Sequence, residues 1–418
     1  MNVNDSEVMA GLLEEAGYEE AIRPDDADVI IVNTCCVRQK AEDKAIGYAL
    51  GLISLKMMKP NRVIVLSGCI AEKDRNDIFR KIPFVDVVVG PGQENKIIHL
   101  IDEIRKGSEK IVSIGGSNEK YQYKTAKRAR NTQAFVTVML GCDNFCSFCI
   151  VPYVRGREVS RSKEEIIDEI EGLDKDTYKE IVLLGQNVNS YGKGTRYRFH
   201  DLLADVSRIK GVGRIRFFTS HPRDMSDDII DAVSRLPNIC EFFHLPLQSG
   251  DDEILQKMNR GYTSDHYRKL VQRIRERVPE ASITSDAIAG FPGETEEQFQ
   301  NTLDLIKELE LDLVNTVAYS VRKGTPAEKL PGHLPREALS ERLQRLMAVV
   351  EKSALKTNTK LIGSVQEVLV ECKSGEGLLG RTRGNKIVLF DGNDELIGRF
   401  VKIKITYAKA WVLNGVCS

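Results

Sequence analysis

Short β-branched runs alternate with amphipathic stretches over the first hundred residues. Positions 28–33, 62–67 and 85–89 are apolar on both faces, the pattern of parallel strands covered from both sides. Helical spacing over 5–16 comes first, without the strand that precedes each later helix. Residues 1–106 therefore read as a parallel α/β domain whose first strand is missing. Positions 107–133 turn polar and basic, as a linker does. Between 134 and 358, six apolar runs (135–140, 180–184, 214–218, 241–245, 282–288 and 313–320) alternate with helical patterns. Capping boxes open two of the helices, Ser162-Lys-Glu-Glu165 and Thr295-Glu-Glu-Gln298. Six βα units predict a parallel sheet curled into a partial barrel, its site built by loops at the strand C-termini. A long charged helix over 335–359 follows. From 359 to 418 strand alternation returns between Gly-rich turns, at 365–371, 386–390, 401–408 and 411–416, which predicts a small all-β module.

Composition narrows the setting. Apolar residues make up 42% and charged residues 29% of the 418, ordinary for a globular protein. No apolar run approaches the ~20 residues of a membrane helix. The opening Met-Asn-Val-Asn-Asp-Ser-Glu is neither cationic nor hydrophobic, so a cytoplasmic chain with no membrane partner is expected. Nine cysteines in that compartment read as metal ligands or buried thiols rather than bridges. A net charge of −1 argues against a uniform nucleic-acid coat and leaves local patches as the route to RNA.

The densest chemistry is Gly141-Cys-Asp-Asn-Phe-Cys-Ser-Phe-Cys149, directly after the first run of the central domain. Thiols at Cys142, Cys146 and Cys149, spaced C-x3-C-x2-C, suit a 4Fe-4S cubane and leave its fourth iron without a protein ligand. Structural zinc normally takes four ligands in paired C-x2-C units, and no fourth Cys or His follows within reach. The loops after the other strands are Leu183-Leu-Gly-Gln-Asn-Val-Asn-Ser-Tyr191, Thr219-Ser-His-Pro222, His244-Leu-Pro-Leu-Gln-Ser-Gly250 and Gly290-Phe-Pro-Gly-Glu294. Gln186, Gln248, Ser249 and Gly290 are their candidate cofactor contacts; turn formation alone also explains each loop's Gly and Pro. His221 and His244 fit core positions equally well and carry no catalytic assignment. In the first domain, Cys35 and Cys69 each end a presumed parallel strand, so both can face one crevice. They read either as a second metal site or as two buried thiols.

The C-x3-C-x2-C loop resembles the radical S-adenosylmethionine superfamily over about 225 residues. Together with Asn33-Thr-Cys-Cys-Val-Arg38, Ser67-Gly-Cys-Ile-Ala-Glu72 and Leu-Gly-Gln-Asn-Val-Asn, it resembles the methylthiotransferase family over nearly the whole chain, the last module resembling a TRAM domain. The resemblance implies two 4Fe-4S clusters, S-adenosylmethionine, a tRNA substrate, an electron-donor protein and a monomeric enzyme. The radical cluster would sit on Cys142, Cys146 and Cys149, with a hydrogen taken from adenine C2. The auxiliary cluster would sit on Cys35 and Cys69 and carry the inserted sulfur.

The family's third N-terminal thiol lies on a Gly-Cys-Gln-Met-Asn loop, and this sequence begins at what resembles its Met-Asn. A misassigned or truncated start, substitution by Cys36, and loss of the auxiliary cluster in an inactive RNA-binding relic all remain open. The loop from Leu184 to Tyr191 favours the branch acting on N6-isopentenyladenosine beside the anticodon, over branches for other modified adenosines or a ribosomal-protein aspartate. RNA contact is expected from Lys124-Thr-Ala-Lys-Arg-Ala-Arg130, with Lys127 and Arg128, from Arg155, Arg157 and Arg161, and from Arg381 and Arg383 in the module. That module carries nine Lys/Arg against six Asp/Glu over 360–418.

Overall fold

A computed structural model describes residues 1–36, 39–115, 126–128 and 132–418. The chain divides into two compact units. One comprises Met1–Ala129, Leu140–Asp143 and Cys149–Val159; the other comprises Arg130–Met139, Asn144–Phe148 and Ser160–Ser418.

In the first unit, β1 (Val29–Thr34), β2 (Val63–Gly68), β3 (Val87–Val89) and β4 (Ile111–Ser113) form a parallel sheet in that order. Every residue of β2 is buried, because helices cover both faces, and its run is accordingly apolar without alternation. One layer joins Val63, Val65, Val87 and Val89 to Val8 and Leu12 of the helix Asn2–Glu15, and to Ile97, Leu100 and Ile101. The opposite layer sets Ile30, Val32, Ile64, Leu66 and Val88 against Leu52, Ile70 and Ile78. The strand β4 falls inside the segment read as linker. Its apolar content is only Ile111-Val112, too short to show a period, and it holds on as an edge through pairing with β3.

The second unit contains the parallel strands β5 (Gln133–Thr137), β6 (Glu180–Leu184) and β7 (Arg214–Phe217), then β8 (Phe242–His244), β9 (Ser282–Ala289) and β10 (Leu313–Ala318). They form sheets β5-β6-β7 and β8-β9-β10, linked where Ile215 bridges Ile239. Leu183, Phe217, Phe243 and Ile283 carry the core outward to Leu202, Ile230, Leu270, Phe299 and Ile306 of the surrounding helices. The Thr295 box forms in both halves, and Ser162 accepts from Glu165 N at 3.3 Å.

The terminal module is a closed five-stranded barrel: β11 (Val365–Ser374), β12 (Gly377–Thr382), β13 (Ile387–Phe390), β14 (Phe400–Ala408) and β15 (Leu413–Cys417), in the order β11-β12-β13-β15-β14. The sequence pattern hides β12, because Gly-Leu-Leu-Gly has the look of a turn. Barrel closure is what requires the glycine: a Cβ on Gly380 would stand 2.5 Å from Leu369 O.

This module docks on the N-terminal ends of the strands. Arg216 donates to Arg383 O at 2.7 Å and to Thr382 O at 3.2 Å, while pairing with the fully buried Glu180 at 2.9 Å. Arg214 pairs with Glu367 at 2.8 Å, and Lys386 with Asp312 at 2.5 Å. Among the described residues no helix is long and apolar enough to cross a membrane.

Candidate functional site

The C-terminal end of the same wall stays free of that docking and carries the cysteine loop. Gly141 is obligatory there: its φ is +73° and a Cβ would lie 2.0 Å from Arg157 O. Cys142 N donates to Gly156 O at 3.1 Å. Cys142 and Cys149 are half-buried, Cys146 is buried, and all three are free thiols. Among the described residues no three His, Cys, Asp or Glu side chains gather tightly enough to hold a single metal ion. A cubane distributes its thiolates over separate irons, and three thiols within eight residues fit that donor set better than a mononuclear ion.

In the second unit, several residues fix the middle of this loop. Ser147 N donates to Met258 O at 3.0 Å and Ser147 Oγ to Lys257 O at 2.8 Å; Asn259 Nδ2 reaches Asn144 O and Phe145 O. Arg260 Nη1 lies 3.2 Å from Cys146 Sγ, its Nη2 donates to Pro246 O at 2.7 Å, and its Nε meets Tyr262 Oη at 3.2 Å.

Polar side chains also line β8, β9 and β10. His244 Nδ1 meets Thr284 Oγ1 at 2.9 Å and its Nε2 meets Asp286 Oδ2 at 3.3 Å; Asn315 donates to Asp286 Oδ1 at 2.9 Å. Sequence reasoning missed Asp286 and Asn315; the only signal is the polar run Thr284-Ser-Asp286 between the apolar residues of β9. His221 is buried, accepts from Arg223 N through Nδ1, and is driven down to about 2 by burial, with help from Arg260 and Arg223. It stays neutral, and its Nε2 is buried without a partner, as is Gln186 Oε1 on the neighbouring loop.

Two of the candidate cofactor contacts turn out otherwise engaged. The Ser249 hydroxyl is wholly buried against Thr302 Oγ1 and accepts from Asp251 N, so it anchors a helix start. Gly290 has φ +76° and donates its N–H to Glu294 at 2.8 Å, while Leu339 would meet any Cβ at 2.3 Å. Gln248 holds a left-handed φ of +69° and bridges Ala287, a strained link between the β8 loop and β9.

The first-unit thiols lie close together around Cys69. Cys69, 3% exposed, hydrogen-bonds with Cys36, which is completely buried. The bond from Cys36 and then the nearby Arg155 charge hold Cys69 below the usual thiol value, while the same pairing and burial push Cys36 up. Cys35, at the end of β1, is half-buried.

The described cationic candidates for RNA contact each have an acidic partner, Arg157 and Lys127 at the surface and the others more buried. Arg155 pairs with Asp5 at 2.7 Å, Arg157 with Asp143 at 2.6 Å and Arg161 with Glu169 at 2.6 Å. Arg128 is buried against Glu7, and Lys127 pairs with Glu14 and Glu20. Arg383 grips Glu241 with both Nε and Nη2 at 2.7 Å, and Arg381 pairs with Glu371 at 3.2 Å. Lys124 and Arg130 lie outside the described residues. Carboxylates follow these basic residues elsewhere in the fold, at separations a linear charge count does not register.

Comparison with known proteins agrees with this architecture. The Radical SAM superfamily matches residues 136–306, the uncharacterized protein family UPF0004 residues 1–90, and the TRAM domain residues 359–417. A tRNA-2-methylthio-N(6)-dimethylallyladenosine synthase of Desulforamulus reducens is 45% identical over 99% of this chain and 92% of its own. The protein of that name from Moorella thermoacetica is 44% identical over 99% and 95%. Among solved structures, the radical S-adenosylmethionine methyltransferase TsrM of Kitasatospora setae superposes with a TM-score of 0.58 at 14% identity, over 89% of this chain and 76% of that one. That likeness speaks for the fold alone. With near full-length identity above 40% and the three domains in order, the chain belongs to the tRNA-2-methylthio-N(6)-dimethylallyladenosine synthase family of radical S-adenosylmethionine enzymes.

Proposed function

We propose that this protein places a methylthio group on C2 of N6-dimethylallyladenosine in tRNA. The observation that carries the reading is the 45% identity to a synthase of that name over 99% of the chain, with the Cys142/Cys146/Cys149 loop at the strand C-termini. A 4Fe-4S cluster on those thiols, together with S-adenosylmethionine, supplies the one-electron chemistry that an aromatic C–H bond, inert to acid–base catalysis, demands.

The chain's own residues do the rest. The three thiolates grip the cluster, and the Ser147 and Asn259 bonds hold the middle of their loop still. His244, Asp286 and Asn315 offer a polar inner face for the methionine and ribose groups of the cofactor, beside Gln248. Neutral His221 and Gln186 keep buried polar atoms available to a bound ligand. Cys35 and Cys69 would supply two of the three thiolates for a second cluster, the source of the inserted sulfur.

The tRNA lies on the face of the terminal barrel that carries Lys402, Lys404, Tyr407, Lys409 and Trp411. All five are exposed, Tyr407 at 55% and Trp411 at 48%. Lysines flanking exposed rings suit a phosphate backbone with an unstacked base. A tRNA substrate puts the work in the cytoplasm, and a low-potential electron-donor protein supplies reducing equivalents.

The test is nucleoside analysis of tRNA from a strain lacking the gene. Loss of the 2-methylthio group with N6-dimethylallyladenosine retained, restored by the wild-type gene but not by Cys146→Ala, is the expected result. Unchanged methylthiolated adenosine would sink the proposal.

A further inference from the structure

Arg260 is an anomaly in the second unit. Its side chain is buried, yet among the described residues no carboxylate pairs with it. What it meets is neutral: Pro246 O at 2.7 Å, Tyr262 Oη at 3.2 Å, the Tyr262 ring at 5.3 Å from Cζ, and the Cys146 sulfur at 3.2 Å. Other buried arginines of this unit have acids, Arg216 with Glu180 and Arg342 with Glu294. A guanidinium stays charged in any protein environment, and burying it without a counter-charge is among the costliest things a fold can do. The backbone is arranged to keep it there. Asn259 and Gly261 on either side adopt φ of +57° and +67°, and a Cβ on Gly261 would press on the Arg223 guanidinium at 3.1 Å. The missing counter-charge is therefore sought among the groups Arg260 touches, and only Cys146 becomes anionic when it ligates iron.

We propose that Arg260 is a redox-positioning residue: its N–H bond and positive charge at Cys146 Sγ favour the reduced radical cluster and lock the cysteine loop onto the Pro246–Gln248 segment. On reduction the cluster accepts one electron from a low-potential one-electron donor and gains one unit of negative charge, with no proton transferred. A fixed cation in hydrogen-bond contact with a ligating sulfur stabilises that extra charge, since hydrogen bonds to the sulfurs and local charge set the potentials of such clusters. The same guanidinium reaches the loop bearing Gln248, so cluster and cofactor loop share one anchor.

The inference rests on Cys146 being a cluster ligand, as the proposed function holds. The experiment separates the two. Anaerobically reconstituted Cys35→Ala/Cys69→Ala protein carries only the radical cluster, and its iron content and Cys146→Ala control test the ligand assignment alone. In that background, Arg260→Met, Arg260→Gln and Arg260→Lys are titrated redox-potentiometrically with EPR detection of the reduced cluster.

At the wild-type midpoint, the ratio of reduced to oxidised cluster is expected to fall about tenfold in Arg260→Met, equivalent to about 59 mV for a one-electron couple. Arg260→Lys should recover most of it, and Arg260→Gln, which keeps a donor without charge, should stay low. Iron loss from the folded Met and Gln variants with retention in Lys supports the same charge requirement. A ratio within twofold of wild type in Met or Gln overturns the proposal. So does iron loss from all three variants, which would make Arg260 a packing residue.

Discussion

A histidine kept neutral inside a fold has a consequence that can be read from a titration. His221 is driven down to about 2, burial being the main cause, and the Arg260, Arg223 and Lys193 charges add to it. Unfolded, it takes up a proton near pH 6.5. Between about pH 6.5 and 2 the unfolded chain therefore binds more protons at this position, and stability falls as pH falls. From pH 7 to pH 5 this single group should remove about 2 kcal/mol, at about 1.4 kcal/mol per pH unit below 6.5. His221→Asn keeps an acceptor for the Arg223 N–H and cannot protonate. Urea midpoints measured across that range should diverge, the wild type falling more steeply; parallel curves would remove His221 as the cause. His221 itself was noticed in the sequence, but its burial was not legible there. Nothing in the pattern Lys257-Met-Asn-Arg-Gly261 marks Arg260 as buried. A buried arginine and an exposed one look alike until the third dimension supplies the neighbours.

At the scale of elements, periodicity carried most of the information. Five strands of the central wall coincide with the apolar runs and β5 overlaps its run only over 135–137, while the helix starts at Ser162 and Thr295 follow their capping side chains. What stayed hidden was short or glycine-rich. The strand β4 has two apolar residues, and β12 carries glycines at 377 and 380, because barrel closure leaves no room for side chains there. Charge was the least legible quantity. The arginines of β12 and the turn after it are engaged by carboxylates of the barrel and the central wall, whereas Lys402 and Lys404 on β14 project outward.

Two classes of variant should separate accordingly. Arg383→Ala breaks a bidentate, half-buried pair with Glu241 and should cost about 1–3 kcal/mol in stability, with little change in the salt dependence of tRNA binding. Lys402→Ala and Lys404→Ala should leave the melting transition in place. Each should lower the slope of log affinity against log salt by about one phosphate contact. Denaturation midpoints and filter-binding isotherms over a salt series decide it, and the reverse pattern would return the RNA to the β12 side of the module.

For the whole molecule, the cysteines fall into two groups by sequence, Cys35, Cys36 and Cys69 against Cys142, Cys146 and Cys149, although Cys142 and Cys149 belong to the first unit and only Cys146 to the second. Cys35, Cys36 and Cys69 belong to the first unit with its own two-layered core, and their environment involves β1, β2 and Arg155. Cys146 is held by the second unit through Ser147, Asn259 and Arg260. Loading of the two sites should therefore be separable by mutation. Wild-type protein reconstituted without oxygen is expected to hold about eight irons per chain, two cubanes of four. Cys146→Ala should retain about four, belonging to the first unit, and Cys69→Ala should retain about four, belonging to the cysteine loop.

The role of Cys36 then falls out of the same measurement. If its contact with Cys69 is only a thiol–thiol hydrogen bond, Cys36→Ser keeps the full complement of iron. If Cys36 ligates, Cys36→Ser drops to the level of Cys69→Ala. Burial does not set the two thiols apart, because Cys36 and Cys69 share one apolar cluster with Ile30, Val32, Ile64 and Leu66, so the iron count of Cys36→Ser decides between the outcomes. Iron and sulfide assays with Mössbauer spectra on the four proteins give the count. A wild type holding about four irons, all lost in Cys146→Ala and none in Cys69→Ala, would show that the first-unit thiols hold no cluster at all.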